Sequence, residues 1–270
     1  MGKIQKTFML NVGNTWMFEI SVCIPTYEFK GQGVKYLSEI FDGLKKQTFQ
    51  DFEIVISDHS EDTKIYDFCK KSSKEFSITY IKNPNDRGYQ ASNINCLIEN
   101  AEGKIIKLIM QDDLFVDDMS LEKIKNSFDE SGCKWLFHGF THTTDGIETH
   151  RDCIPEWADM LLQGNNLLGS PSCIAFLNES KMYFDGKLKL LVDTEFYHRM
   201  RMEHGLPYII PDILIANREH EARTSVSGID YDLVLHGNDG RRWLVNSQEL
   251  NYLQEKHIDF YKLGKYPDET

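Results

Sequence analysis

The sequence predicts an α/β fold built on a mostly parallel sheet, and two observations carry that prediction. Through the first half of the chain, short apolar runs of strand length alternate with segments whose apolar residues recur every three or four positions. That is the pattern of strand–helix units feeding a parallel sheet. Polar groups then follow directly on three of the apolar runs: Thr26-Tyr27, Asp58 and Asp112-Asp113. Open parallel sheets bind ligands beyond the carboxyl ends of their strands, so these groups are expected on one rim.

The elements follow in order. Residues 18–24 (FEISVCI) form a near-continuous apolar run closed by Pro25, as a strand buried on both faces requires. Residues 34–46 carry Leu37, Ile40, Phe41 and Leu44 on one helical stripe. A second strand is predicted at 53–57, a helix at 62–72 and a short strand at 77–81. A helix at 89–101 turns Ala91, Ile94, Leu97 and Ile98 inward, with Gly103 just past its end as a stop signal. Residues 104–110 (KIIKLIM) are the fourth strand, followed by a helix with Leu121 and Ile124 on its buried side and a strand at 135–140. The second half is less regular. It offers a short amphipathic helix at 155–163, a strand at 173–177, a helix at 191–204, two strand-like stretches around Pro211-Asp212, and a helix over 241–261. A boundary near 150–165 divides the regular half (1–155), whose strand ends are placed to bind a ligand, from a second half (156–227), with a C-terminal helical tail over 228–270.

Composition narrows the function. The chain has 270 residues, 41% of them hydrophobic and 12% aromatic, enough for a sizeable core. A formal charge of −12 argues against nucleic acid as a partner, because phosphate backbones call for clustered Lys and Arg. An acidic protein still binds an anionic nucleotide when a divalent cation neutralises the diphosphate. The six cysteines form no Cys-x-x-Cys pair, and Cys23 and Cys173 sit in apolar runs, which reads as reduced thiols in a cytoplasmic protein. No run approaches the ~20 apolar residues of a membrane-spanning helix.

Asp112 and Asp113 are the first candidates for chemistry. Adjacent carboxylates at a strand end repel each other, and a hard divalent cation relieves that repulsion. An ordinary acidic turn accounts for the pair equally well, as Asp117-Asp118 illustrates.

The order ISVCIPTY, EIVISDHSED, the segment from Gly88 to Asn93, IIKLIMQDD, GSPSCIAF, LLVDTEFYHRM and REHEARTSVS resembles family 2 glycosyltransferases of the GT-A fold, over roughly residues 18–227. The resemblance implies a Rossmann-like nucleotide-binding sheet and an inverting, metal-dependent transfer. The sugar would pass from a nucleotide-diphosphate donor, UDP by family habit, to a hydroxyl of a saccharide, glycolipid or glycoprotein glycan. It places Pro25, Thr26 and Tyr27 along the nucleotide base, and Asp58 as the carboxylate that accepts a hydrogen bond from that base. A turn or capping aspartate before Ser60 is the plain alternative for Asp58. Arg87 and Asn93 fall where the family contacts the nucleotide. Asp112-Asp113 match the DxD-type element, with Asp112 expected on the ribose side and Asp113 on Mn2+ or Mg2+, a register uncertain by one residue. Met110 stands where relatives carry the first acid. Asp193 matches the catalytic base, with Val192 in place of the usual preceding Glu; a helix-start aspartate is its structural alternative. His220 matches a histidine that completes the metal site in some relatives. Arg218 and Arg223 flank it as candidates for the diphosphate.

Three other constellations compete. His138, His142 and His150 suggest zinc, but no Cys or Glu completes a familiar spacing. Lys30-Gly31-Gln32-Gly33 resembles the glycine-rich loop of a nucleotidyltransferase, yet PTYEF separates it from the strand. A degenerate nucleotide-sugar-binding module is the non-enzymatic reading, encouraged by Met110. A Rossmann dehydrogenase is disfavoured because no Gly-x-Gly-x-x-Gly follows a strand. Arg241-Arg242-Trp243 and the aromatics beyond make the C-terminal segment a candidate for contact with the inner face of a membrane or with a second copy in a homodimer, while simply finishing the fold is its plainer use.

Overall fold

In a computed structural model the described residues are 16–158, 160–180, 182–220, 231–237 and 241–267. The sheet is built around β1 (Phe18–Thr26), which lies parallel to β2 (Phe52–Asp58) on one side and to β4 (Gly103–Leu108) on the other. Strand β3 (Ile78–Lys82) extends it in parallel beside β2. Side chains alternate along β1. Ile20, Val22 and Ile24 pack with Leu37, Ile40 and Leu44 of α1 (Gly33–Lys46), and with Leu121 and Ile124 of α4 (Ser120–Ser131). Cys23 points into the opposite layer, with Ile94 and Leu97 of α3 (Gln90–Asn100) and Phe196 of α5 (Val192–His204). A strand apolar on both faces is what such two-sided cover demands. Helix α2 (Lys64–Ser72) adds Ile65 and Cys69 to the first layer.

Beyond β4 the sheet becomes mixed. Strand β8 (Ile174–Leu177) enters antiparallel between β4 and β6 (Trp135–Thr143), so a strand from the second half of the chain completes the sheet begun by the first. Strand β9 (Tyr208–Arg218) runs parallel to β6, the two-residue β5 (Leu114–Phe115) closes the edge, and β7 (Thr149–Cys153) forms a hairpin with β6. The order is β3-β2-β1-β4-β8-β6-β9-β5. The two stretches expected around Pro211-Asp212 are one strand. The register jumps from His138↔Ile210 to Gly139↔Ile213, and the bulge carries the proline out of the ladder. A Cβ on Gly139 would sit 2.8 Å from the Asp212 carbonyl oxygen, so the bulge requires glycine there.

Three expectations are corrected. Gly103 does not stop α3 by a left-handed turn; it opens β4, where a Cβ would lie 2.6 Å from the Ser21 backbone nitrogen. The helix expected at 155–163 is reduced to a single 3-10 turn, Leu161–Gln163, ended by Gly164 at φ 91°. The long C-terminal helix is instead a hairpin of β10 (Leu233–His236) and β11 (Arg242–Val245), followed by α6 (Ser247–Lys256) and α7 (Ile258–Leu263). Val245, Leu250 and Leu253 are buried in the same layer as α5, so this segment is part of the fold. No helix of the described residues is long and apolar enough to cross a membrane.

Candidate active site

The carboxyl ends of β1, β2 and β4 open onto a cleft of about 670 Å³. One carbonyl ties its floor together: Thr26 O accepts from the His59 backbone N–H (2.9 Å) and from Asn93 Nδ2 (3.2 Å), joining β1, β2 and α3. Gln111 fixes the loop after β1. Its Oε1 accepts from the Tyr27 N–H (2.9 Å), and its Nε2 donates to Gly33 O (2.8 Å). The chain then turns sharply through Phe29 and Lys30 in the left-handed region, at φ 49° and 51°. Gly33 permits the closure, since a Cβ there would lie 2.4 Å from Tyr27 O.

Of the residues expected at the nucleotide, Pro25, Tyr27, Arg87 and Asn93 line the cleft, whereas Thr26 and Asp58 lie behind its wall. Tyr27 is half-open to solvent and packs on Phe29 at 4.5 Å between ring centroids. Arg87 Nε donates to His59 O (2.6 Å) and its guanidinium pairs with Glu61 and Glu28. Asn93 keeps its Oδ1 buried without a hydrogen-bond partner. Asp58 is fully buried and already occupied. It accepts from the Ser60 N–H (2.8 Å), from Tyr80 Oη (2.7 Å) and from Lys82 Nζ (3.2 Å). The side chain that reaches the cleft from this strand end is its neighbour His59, whose Nε2 is buried with no partner. Burial holds the His59 imidazolium below its ordinary range, so the ring is neutral at pH 7.

Both residues of the acidic pair line the cleft, and they differ in their partners. Asp113 is buried, and both of its oxygens are engaged: Ser172 Oγ donates to Oδ2 (2.5 Å) and the Arg218 N–H to Oδ1 (2.9 Å). Asp113, the residue expected at the metal, thereby ties the turn after β4 to Ser172 and to the end of β9. Asp112 is more open and lies with its Oδ2 2.9 Å from His220 Nε2. The Phe29 ring stands at 5.0 Å and the Tyr36 ring at 6.1 Å from the imidazole. Arg218 also lines the cleft. Its Nε donates to Asp112 O (2.9 Å), its guanidinium pairs with Glu39, and it lies over Tyr36 at 4.7 Å. Arg223 lies outside the described residues.

Asp193 lines the opposite wall, in the first turn of α5. Its Oδ1 accepts from the Thr194 N–H (3.0 Å), and Asn166 Nδ2 approaches Oδ2 at 3.5 Å. Burial raises this carboxyl from 3.8 to about 6, outweighing the backbone N–H groups that lower it. A carboxylate poised near neutrality beside a cleft suits general-base chemistry.

The structure adds residues that the sequence did not mark. Gln111 fixes the loop after β1, Ser172 holds Asp113, and Lys107 supports Ser172; Lys107 is fully buried, donates to Leu108 O (2.8 Å) and to Ser172 O, and is pulled down to about 7 by burial. Only one of these carried a signal, a lysine inside an apolar strand. The histidines do not converge. His138 is buried in the sheet against Gly139 O, whereas His142 and His150 flank Glu219. Among the described residues no group of three or more His, Cys, Asp or Glu is arranged to hold a metal ion.

The family model described as Glycosyl transferase family 2 matches residues 21–172, more than half of the chain. Among solved structures, residues 1–349 of S. aureus TarS match with a TM-score of 0.60 at 19% identity, covering 74% of this chain and 60% of that one. The same protein in complex with UDP-GlcNAc matches with a TM-score of 0.63 at 19% identity, covering 79% and 62%. The mannosyltransferase PcManGT from Pyrobaculum calidifontis, in complex with GDP-Man and Mn2+, matches with a TM-score of 0.56 at 15% identity, covering 80% and 61%. The chain therefore spans about 60% of the length of the first of these structures, and likeness at this identity establishes the GT-A type of fold. No curated protein matches the chain significantly.

Proposed function

This chain belongs to glycosyl transferase family 2, and from that premise we propose that it moves a sugar from a UDP-sugar donor to an acceptor hydroxyl with inversion. The observation that carries this reading is a single cleft lined on one wall by Pro25, Tyr27 and Asn93 and on the other by Asp193, whose carboxyl is raised to about 6. The complexes of TarS with UDP-GlcNAc and of PcManGT with GDP-Man and Mn2+ support a nucleotide-sugar donor and a divalent cation.

In the proposed reaction Asp193 takes the proton of the acceptor hydroxyl as the new bond from that oxygen to the anomeric carbon forms. The bond from the anomeric carbon to the diphosphate breaks on the opposite face. Tyr27, with Phe29 behind it, offers an aromatic wall for the base, and Asn93 Oδ1 is an acceptor awaiting a donor. Asp112 and His220, a carboxylate and an imidazole 2.9 Å apart, would hold a hard-to-borderline cation such as Mn2+ or Mg2+. Such a cation, when bound, would neutralise charge on the leaving diphosphate.

The direct test is a set of UDP- and GDP-sugars with Mn2+, read by thermal shift, donor hydrolysis and transfer to saccharide acceptors. A cognate donor at a hundredfold excess over Kd adds about 2.7 kcal/mol, which raises the midpoint by roughly 5–10 °C for a chain of this size. UDP binding with neither hydrolysis nor transfer would leave a binding module only, and a nucleotide sugar made from a triphosphate would identify a nucleotidyltransferase.

At the base we assign the contact to His59 and a structural role to Asp58. His59→Ala is expected to weaken UDP binding by about tenfold, the effect of one lost hydrogen bond, with folding intact. Asp58→Asn, which sets an amide against three donors, is expected to lower stability by about 1–3 kcal/mol and leave UDP affinity alone. Calorimetry beside denaturant unfolding separates the two, and the opposite pattern returns the base contact to Asp58.

A further inference from the structure

We propose that Glu249, on α6 near the C-terminus, is a positioning residue for Asp193. Its carboxylate gathers the three successive backbone N–H groups of Lys189, Leu190 and Leu191, the turn that delivers Asp193 to the cleft. Lys189 N donates to Oε1 at 2.7 Å, Leu190 N to Oε2 at 3.1 Å and to Oε1 at 3.3 Å, and Leu191 N to Oε2 at 2.9 Å. The inference rests on the reading of Asp193 as the base.

The turn needs such an anchor for a local reason. Leu191 occupies the N-cap of α5, and its apolar side chain provides no oxygen for the N–H groups at the helix start. Three successive N–H groups that point the same way make a small anion-binding concavity. Here a carboxylate from 58 to 60 residues further along the chain fills it. Lys189 and Leu190 are themselves cleft residues beside Asp193, so whatever fixes this turn fixes the wall that carries the base.

Glu249 is fixed in its turn. Asn246 caps α6 by accepting from the Glu249 N–H (3.0 Å), which holds the residue in the first helical turn. Leu250 and Leu253 are buried in the same core layer as Leu188 and Leu191. Tyr252 Oη donates to Asp185 (2.7 Å), Lys256 bridges Asp185 and Glu195, and Trp243 Nε1 donates to Gln163 O (2.6 Å). The hairpin and α6 therefore clasp the start of α5 from outside, with one charged group reaching the catalytic wall.

The titratable groups that act on Asp193 are Glu249 across from α6 and Tyr197 one turn along α5. The negative charge of Glu249 raises the Asp193 carboxyl, and burial is the larger cause. Removing the charge therefore weakens the base as well as loosening its wall.

The test uses the full chain in four forms: unchanged, Glu249→Gln, Glu249→Asp and Glu255→Gln. For Glu249→Gln, turnover is expected to fall between about tenfold and a hundredfold, the effect of a base displaced by a fraction of an ångström to an ångström. Donor affinity by calorimetry should hold, and the acid limb of the kcat–pH profile should move to lower pH. Amides 189–191 should exchange hydrogen faster. Glu255→Gln removes an exposed carboxylate from the same helix and should leave both turnover and acid limb unchanged. If Glu249→Gln fails to fold, Glu249→Asp keeps the charge and shortens the reach, so turnover should fall while the acid limb stays. Unchanged amide exchange in Glu249→Gln, or equal losses in Glu249→Gln and Glu255→Gln, would overturn the proposal. If Asp193→Asn keeps full turnover while amides 189–191 still respond to Glu249, the base reading has failed and the anchor has not.

Discussion

Asp193→Asn is expected to reduce sugar transfer by about 10²–10⁴-fold, the contribution of a positioned general base, while donor affinity stays unchanged. Asn matches Asp in size and keeps an oxygen for the Thr194 N–H, so the wall of the cleft survives and only proton acceptance is lost. The same carboxyl sets the pH profile. Asp193 must be ionised to act, so turnover of the unchanged protein should fall about tenfold per pH unit below about 6. A start of a helix and two backbone N–H groups pull this pKa down, and burial overrides them. The stability linkage carries the opposite sign to that of an ion-paired aspartate. The folded pKa is raised, so the buried charge costs stability above about pH 6, and that cost disappears as pH falls below 3.8, where both states are protonated. Asp193→Asn should therefore melt at a higher temperature than the unchanged chain at pH 7.5, with the gap closing in acid. Scanning calorimetry at two pH values and single-turnover assays check both halves. A fully active variant would place the base elsewhere.

The parallel half of the fold was legible because its determinants are local. The runs FEISVCI, EIVIS and KIIKLI alternate with helical stripes, and two-sided burial is the only use a chain has for strands that apolar. The C-terminal hairpin left no such trace. Val234 and Leu244 on its strands are exposed, so the alternation that marks a strand is set by contacts with α5 and the 161–163 turn. Within the site, the sequence identified the strand ends and not which of two neighbours faces the cleft. Successive residues at a strand end point to opposite sides, so Asp58 and His59 exchange roles with a one-residue difference in where β2 stops; Asp112 and Asp113 follow β4 in a turn and both line the cleft, so only their partners distinguish them. Partners decide the matter, and they are distant: Tyr80 and Lys82 for Asp58, Ser172 and Arg218 for Asp113. Glu249 was invisible for the same reason, since nothing near it in the chain marks the turn it anchors.

Asp112→Asn is expected to remove the enhancement of UDP-sugar binding by Mn2+ and to lower turnover by about a hundredfold or more, as for loss of one electrostatic contact to charge developing on a leaving group. An amide oxygen is a far weaker ligand for a hard cation than a carboxylate oxygen, and His220 alone cannot compensate. His220→Ala should act in the same direction with a smaller effect, because one imidazole carries no charge. Asp113→Asn tests the other half of the pair and should look different. Its two oxygens accept from the Ser172 hydroxyl and the Arg218 N–H. An amide there turns one N–H toward a donor and leaves a buried group unsatisfied, at about 1–3 kcal/mol. Asp113→Asn should therefore unfold at lower denaturant yet, while folded, keep its response to Mn2+. Titration of donor with and without Mn2+ for all three variants, beside urea unfolding, separates ligand from brace. If Asp113→Asn folds normally and loses the Mn2+ response while Asp112→Asn keeps it, Asp113 is the ligand and its bonds to Ser172 and Arg218 must open when the donor binds.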